Sequence, residues 1–341
     1  MDRPTRQTAV FPTLRVRNIS IIPALLSEHG ADPREICRRA GVDPAVFDRL
    51  DGVIPYASLG RLVSESVKAT GCDWFGLKVG MASAPTVMGL MGLVSIHSTT
   101  VREGLELITT NLTTSDSGGA TFLDVRDGVA AFGYVVTARG IESADHIVDG
   151  SLAIASNFLR RMCGEAWRPD EVRLTRAAPR DKRPFARFFG APIVYGAAAG
   201  CLVFPASLLD EPISGRDPHV ADMLTPLLRE EAASAGGDFV ASVRRLIRAQ
   251  LAAGQLSREA LCRALGITPR ALVYRLEARG LTYSGLAEEA RFEAAQDMLL
   301  GGLSIAVAAE RLGFADQSAF TRAFKEWSGT TPAKWRADRG V

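Results

Sequence analysis

Apolar positions recur at three- and four-residue spacing through most of the chain, and the period changes only briefly in the middle. Ile19, Ile22, Leu25 and Leu26 mark a first helix ending near Gly30. Asp32-Pro33 and Asp43-Pro44 each supply a cap and a first-position proline for two more short helices, the first stopping at Gly41. Leu59, Leu62, Val63 and Val67 place a fourth helix after Ser58. Residues 86–96 (TVMGLMGLVSI) predict a buried helix in which Gly89 and Gly92 permit close packing. Thr100-Val-Arg-Glu103 is a capping box that opens a helix through Leu112.

The period then becomes two. Residues 121–126, Asp127-Gly128 and 129–137 predict a hairpin with a two-residue turn. Ser143 is placed as the cap of an amphipathic helix to Met162. Strands are expected at 171–175, 193–195 and 201–204, and residues 205–231 return to helix with a break between Pro212 and Pro218. The fold class this implies is α+β, with helices packed on a small antiparallel sheet. Residues 1–18 read as a flexible arm, 19–231 as a first folded domain, for which the resemblance given below implies effector binding or dimerisation, and 232–238, which begin AASAGG, as a linker. Asp238 is expected to cap a new helix with Val240, Val243 and Ile247 facing inward.

Within the all-helical remainder, 239–339, one pattern occurs twice, at 256–276 and 303–327. Each copy is a short helix, a Gly-centred turn (Gly266, Gly313) and a second helix with polar positions left outside. In the first, Thr268 caps, Pro269 fixes the first helical φ, and Leu272 and Leu276 pack inward. That leaves Arg270, Val273, Tyr274 and Arg275 to face a major groove or its rim. In the second, Asp316 caps and Phe320 and Phe324 pack inward, leaving Gln317, Ser318, Thr321, Arg322 and Lys325. Arg and Gln suit base edges, and Ser, Thr and Lys suit phosphates. One copy alone reads equally well as an αα-hairpin in a helical core. Two copies in register point to a DNA reader. Residues 283–300 between them favour helix, and about 18 residues at 1.5 Å each span roughly 27 Å. With each unit's offset, the separation approaches one DNA turn of about 34 Å, so one chain can address successive major grooves.

Charge supports this division. The net +2 of the 341-residue chain resolves into 15 Lys+Arg against 10 Asp+Glu over 239–341, and 25 against 28 over 1–238. The positive balance therefore lies with the repeated pattern. Five cysteines without a CxxC argue for a reducing compartment and against a disulfide frame or zinc site. The N-terminus lacks a signal-peptide core, and the longest apolar run is well short of the ~20 residues that cross a bilayer. A cytoplasmic protein with no membrane association is expected. The four histidines are isolated, and there is no P-loop or GxGxxG. No catalytic constellation, metal site or cofactor is expected, and the chain is read as a non-enzyme. For an effector, the candidates are His97 and the spaced Arg176, Arg180, Arg183 and Arg187, although a structural or surface role is the simpler reading for the histidine, as for His146, and a solvated loop and helix face for the arginines. Two alternatives remain open: a redox- or alkylation-sensing regulator using Cys163 beside Arg160 and Arg161, and a small-molecule enzyme fused to a DNA-binding domain.

The C-terminal domain resembles the AraC/XylS family of bacterial transcription regulators. The resemblance rests on Ile305-Ala306, Ala309, Leu312-Gly313-Phe314, Asp316-Gln317-Ser318, Phe320, Arg322-Ala323-Phe324, Gly329, Pro332 and Arg336, with Arg291, Ala295 and Leu299 upstream. The first unit departs from the family at Cys262, usually Ala, and at Tyr274, often Arg. Residues 20–205 look like the arabinose-binding-like effector domain of some members, through Ala40-Gly41, Asp51, Ile54-Pro55, Phe75-Gly76-Leu77, Gly89-Leu90, Gly92, Thr100 and Gly104-Leu105. The resemblance implies a sequence-specific regulator of double-stranded promoter DNA, more often an activator. It also implies RNA polymerase as a partner, a small-molecule effector of unspecified class, and a homodimer through the N-terminal domain.

Overall fold

The structure, a computed structural model, describes residues 11–234, 239–254, 256–265 and 267–339. The first ten residues of the expected arm, most of the linker, the Asp238 cap and the Gly266 turn lie outside the described residues.

The part of the arm that is described is ordered into the domain. Thr13–Arg15 (β1) pairs antiparallel with Val53–Pro55 (β2), and Leu14, Val16 and Ile19 are buried. Between and after these strands come the helices Ile22–Glu28 (α1), Pro33–Arg39 (α2), Tyr56–Thr70 (α3) and Phe75–Met81 (α4). Asp32 caps α2 through the Arg34 amide as expected, whereas Asp43-Pro44 opens only a short 3-10 turn. The single helix expected at 86–96 is broken: a 3-10 turn ends at Met88, Gly89 has φ +60°, and the α-helix is Gly89–Ile96 (α5). The capping box does open Val101–Asn111 (α6), with the Glu103 carboxylate accepting from the Thr99 amide.

Five strands form one sheet: Gly119–Arg126 (β3), Val129–Val136 (β4), Glu171–Leu174 (β5), Ile193–Tyr195 (β6) and Gly200–Pro205 (β7). Their order is β3-β4-β7-β5-β6, and every pair is antiparallel except β5–β6, so the expectation of a wholly antiparallel sheet needs that correction. The β3–β4 turn is the two-residue kind foreseen, with Asp127 at φ 48° and Gly128 at φ 79°. Ala144–Cys163 (α7) and Arg183–Phe189 (α8) accompany the sheet, and Pro218–Ser234 (α9) packs against α5. Ser143 does not cap α7; it lies at φ 50° without a capping bond. Residues 206–210 are a 3-10 turn, so helix resumes only at Pro218.

The sheet's two faces have different neighbours. Phe132, Tyr134, Val172, Leu174, Leu202 and Phe204 join the main core with α7 and the N-terminal helices. Helices α4 and α7 approach through glycines. A Cβ on Gly76 would lie 2.0 Å from the His146 carbonyl oxygen, and one on Gly80 would lie 2.2 Å from that of Gly150. The opposite face (Ala120, Phe122, Val135, Cys201, Val203) is covered by Ala249 of the helix Phe239–Ala252 (α10), the first of the C-terminal domain.

The C-terminal domain continues with Arg258–Ala264 (α11), Pro269–Glu277 (α12), Tyr283–Leu300 (α13), Ile305–Arg311 (α14), Gln317–Ser328 (α15) and Pro332–Ala337 (α16). It holds two small cores. Leu261, Cys262, Leu272 and Leu276 pack with Leu286, Ala287 and Ala290 from the first half of α13. Ala308, Ala309, Leu312, Phe320, Phe324 and Trp335 pack with Ala295 and Leu299 from its second half. Helix α13 is thus a beam shared by both. No single helix among the described residues is long and apolar enough to cross a membrane.

Candidate nucleic-acid interface

Each helix-turn-helix unit is built by the same local chemistry. Ser257 and Ser304 cap the supporting helices α11 and α14 by accepting from the Ala260 and Val307 amides. Each turn closes with a bond from the amide after the glycine position to a carbonyl five residues back: Ile267 to Cys262 and Phe314 to Ala309, both at 3.0 Å. Gly313 takes φ 76°, which a residue with a Cβ adopts only under strain. Thr268 and Asp316 then cap α12 and α15, through Ala271 and Ala319 at 3.2 and 2.7 Å. The buried anchors correspond: Leu272 and Leu276 in α12, Phe320 and Phe324 in α15.

Burying those anchors turns the opposite faces outward. Arg270, Val273, Tyr274 and Arg275 are exposed on α12, with Tyr274 the most open at 74%. Gln317, Ser318, Arg322 and Lys325 are exposed on α15, while Thr321 is half-buried and its hydroxyl donates to the Gln317 carbonyl. Among the described residues, the side chains of Arg270, Gln317, Ser318, Arg322 and Lys325 have no hydrogen-bond or ion-pair partner within the protein. Their polar groups are available to a ligand. Arg275 is differently placed, because its guanidinium lies over the Phe239 ring at 5.5 Å, beside that of Arg279. Cys262, the first unit's departure from the family pattern, is buried in the small core and presents nothing to solvent.

Among the described residues the readers are braced against the N-terminal domain at several places, one of them a bond from the Arg126 guanidinium to the Gly254 carbonyl. Helix α10 lies on the outer sheet face through Ala249 and Ala252, with Ala253 in the turn that follows. Arg139, just beyond β4, reaches Glu293 and Asp297 on α13, both at 3.6 Å. Helix α11 lies beside α6 across a cleft of about 500 Å³, lined by Arg102, Glu106, Gln250 and Arg263 among others. Glu293 also pairs with Arg248 of α10 at 2.6 Å, which ties the brace into the reader's own framework.

Two family models match the chain. One, described as the arabinose-binding domain of AraC transcription regulators, N-terminal, covers residues 30–213; the other, a helix-turn-helix domain, covers 261–338. The chain belongs to the AraC family of transcription regulators. It is 28% identical over 336 residues to the HTH-type transcriptional regulator VirS of Mycobacterium tuberculosis, covering 96% of this chain and 97% of that one. It is 23% identical to the ornithine utilization regulator of Pseudomonas aeruginosa, covering 92% and 93%. Among solved structures it is similar to the transcriptional regulator CdpR from Pseudomonas aeruginosa, at 21% identity and a TM-score of 0.44, over 81% of this chain and 90% of that one. The regulator is therefore a DNA-binding helix-turn-helix protein with an arabinose-binding-like effector domain.

The regulator's five candidate effector contacts are not brought together. Arg176 is buried, donating to Asp149 at 2.9 Å and to Asp73 at 2.7 Å, with its guanidinium over Phe185. Arg183 pairs with Asp181, and Arg180 and Arg187 are exposed. His97 accepts from the Asp217 amide through Nδ1 and so fastens the loop before α9. Burial pushes all five cysteine thiols up, Cys163 to about 12 and Cys201 to about 11, so none has the thiolate character of a redox sensor. Among the described residues no group of acids, histidines and cysteines could hold a metal.

A buried polar centre escaped the sequence reading. Asp116, between α6 and β3, accepts from the Gly118 and Gly119 amides at 2.9 Å through Oδ1 and from the Tyr134 hydroxyl at 2.5 Å through Oδ2. The Tyr56 and Tyr134 hydroxyls are 2.6 Å apart. A Cβ on Gly118 would strike the Tyr56 ring and one on Gly119 the Tyr134 hydroxyl, so the glycine pair is a cradle for both tyrosines. The run Asp116-Ser-Gly-Gly119 between two regular elements was the available signal. Burial is also the main influence on Arg245 of α10, lowering its pKa to about 10, and the charge of Asp116 offsets part of that.

Proposed function

We propose that the regulator places α12 and α15 in successive major grooves of one promoter face, and that a small molecule held by the N-terminal domain biases this docking. The observation that carries the reading is α13: one 18-residue helix contributes to both small cores, so the two exposed recognition faces share one rigid beam. At about 1.5 Å per residue its length suits readers roughly one DNA turn apart. Arg270, Gln317 and Arg322 would read base edges; Ser318, Thr321 and Lys325 would hold phosphates; Val273 and Tyr274 would make apolar contact, with Arg275 at the rim. The output we favour is activation, in the cytoplasm, through contact with RNA polymerase. The N-terminal domain would also carry a homodimer contact, for which the exposed Met223 and Leu227 on α9 are the best-suited side chains. An effector acts only by binding the DNA-competent arrangement more or less tightly than the other.

The test is a salt titration of affinity for DNA upstream of the regulator's own and neighbouring genes. Contacts to about six phosphates give a log–log slope near −5. A slope near zero, or no preference over competitor DNA, overturns the reading.

A further inference from the structure

Two small recesses adjoin in the N-terminal domain, each running from half-buried residues such as Asn18 and Ser151 into the main core. One of about 60 Å³ lies among Ile108, Leu112, Phe132 and Phe158; the other, of about 80 Å³, lies among Ile22, Leu59, Val63 and Val79. They share Asn18, Asp116, Tyr134, Ser151 and Ile154, so the polar centre stands where they meet. Their combined volume is on the scale of a single aromatic ring, for which ~150 Å³ suffices even in a closed cavity. From this we infer that the joined cavity is a binding site for a neutral, phenol-sized alcohol, its ring or chain in the apolar halves and its hydroxyl at the Asp116–Tyr134–Tyr56 centre.

The polar groups select the hydroxyl. The Tyr134 proton is directed to Asp116 and the Tyr56 proton to Tyr134, so this centre offers lone pairs. Asn18 accepts from the Ser115 hydroxyl through Oδ1, which leaves its amide protons; among the described residues neither these nor the Ser151 hydroxyl has a protein partner. A ligand hydroxyl can donate to the first set and accept from the second. A carboxylate would face Asp116 with like charge, and an ammonium could not accept. A ligand without a polar group would leave both sets unmatched. The site also lies one strand away from the reader. Tyr134 and Phe132 point into the cavity from β4, while Val135 on the same strand lies under α10.

This inference rests on the effector-responsive reading only for its consequence at DNA, and the experiment separates the two. Full-length protein is titrated with phenol, toluene and benzylamine by thermal shift and calorimetry, and labelled with an azidophenol whose adducts are mapped by peptide mass spectrometry. Phenol should bind, and toluene about fivefold more weakly for the lost hydrogen bond. Ser151→Leu should abolish binding by filling the junction, whereas Ser151→Ala should retain it. Adducts should fall on Asn18, α1, α3, α4, α7, β4 or the 108–116 segment, which together line the site. Toluene or benzylamine binding as tightly as phenol, unchanged binding by Ser151→Leu, or adducts confined to other elements would each overturn the site. The adduct map decides even if Ser151→Leu fails to fold. If the site passes while saturating phenol leaves DNA affinity unchanged, the cavity assignment stands and the effector-responsive reading fails.

Discussion

Tyr134→Phe removes one oxygen and strands two groups. Asp116 Oδ2 loses its donor, a bond to a charged acceptor worth about 1.5–3 kcal/mol, and the buried Tyr56 hydroxyl loses its acceptor, for about 1–3 kcal/mol more. The ring itself stays, so packing changes little, and the expected loss is roughly 2.5–6 kcal/mol. Tyr56→Phe is a milder change, because Tyr134 still donates to Asp116; about 1 kcal/mol is expected. In the double variant no Tyr56 hydroxyl remains to be stranded, so the cost should be less than additive. The loss should also depend on pH. Burial is the largest influence on the Asp116 carboxyl and raises its pKa above the ordinary value, while the Tyr134 hydroxyl, the Gly119 and Gly118 amides and, least, the charge of Arg245 on α10 pull it back. A folded value above the unfolded one means the folded state holds its proton to higher pH. The contribution is therefore complete below about pH 4 and is lost as pH rises through the folded value. Removing Tyr134's donor raises the folded value further, so the variant should lose more at pH 7 than at pH 4. Urea unfolding of wild type, both singles and the double at these two pH values measures all of this. Tyr56→Phe costing as much as Tyr134→Phe, or a Tyr134→Phe loss equal at both pH values, would refute the reasoning.

Arg322→Ala should weaken binding to the cognate site by about 5- to 150-fold, corresponding to ~1–3 kcal/mol for a base contact. Its melting temperature should not change, because the side chain is exposed and unpaired; unchanged affinity by fluorescence anisotropy would mean that α15 docks in another orientation. Gln317→Ala should relax base preference at one or two positions in a randomised-site selection, and Lys325→Ala should reduce the salt slope by about 1 without changing that preference. Gly76→Ala places a Cβ 2.0 Å from the His146 carbonyl, so α4 and α7 must separate; a loss of roughly 1–3 kcal/mol in urea unfolding is expected.

What could be read from the sequence was what neighbouring residues decide. Thr268-Pro269, Asp316, Thr100 with Glu103, and Asp127-Gly128 each specify their local backbone through their own side chains, and each did so in the structure. The features missed depend on distant partners. Leu14 pairs with Ile54 in a ladder of three residues, too short to give a period, which is why the arm's end looked loose. Gly89 is closely approached as expected, but by the Arg17 guanidinium, whereas the closest approach between helix backbones is made at Gly76, Gly80 and Gly150; a glycine does not announce what will approach it. Ser143 has the right chemistry for a cap, yet its positive φ directs it elsewhere. The polar centre was hardest of all, because Tyr56, Asp116 and Tyr134 come together only when α3, the 112–119 segment and β4 are assembled.

Two helices of the reader serve two masters, and the residue types show which contact is built to be permanent. Helix α10 gives Val243, Leu246 and Ile247 to the first small core, and Ala249 and Ala252, with Ala253 in the turn that follows, to the sheet. Larger apolar side chains face the reader's own interior, where truncation leaves a cavity. Alanines face the other domain, and each buries little area there. Of the remaining braces, Arg139 to Glu293 and Asp297 are half-exposed ion pairs at 3.6 Å, a kind of contact that contributes about 0–1 kcal/mol and weakens with salt. Helix α11 meets α6 across an open cleft, and Arg245 of α10 brings a buried charge to face that of Asp116. The units of the reader are thus firmly held to each other through α13 and lightly held to the sheet. A modest change on the cavity side of β4 can alter the second contact without disturbing the first, which is the order of strengths that a regulated reader requires.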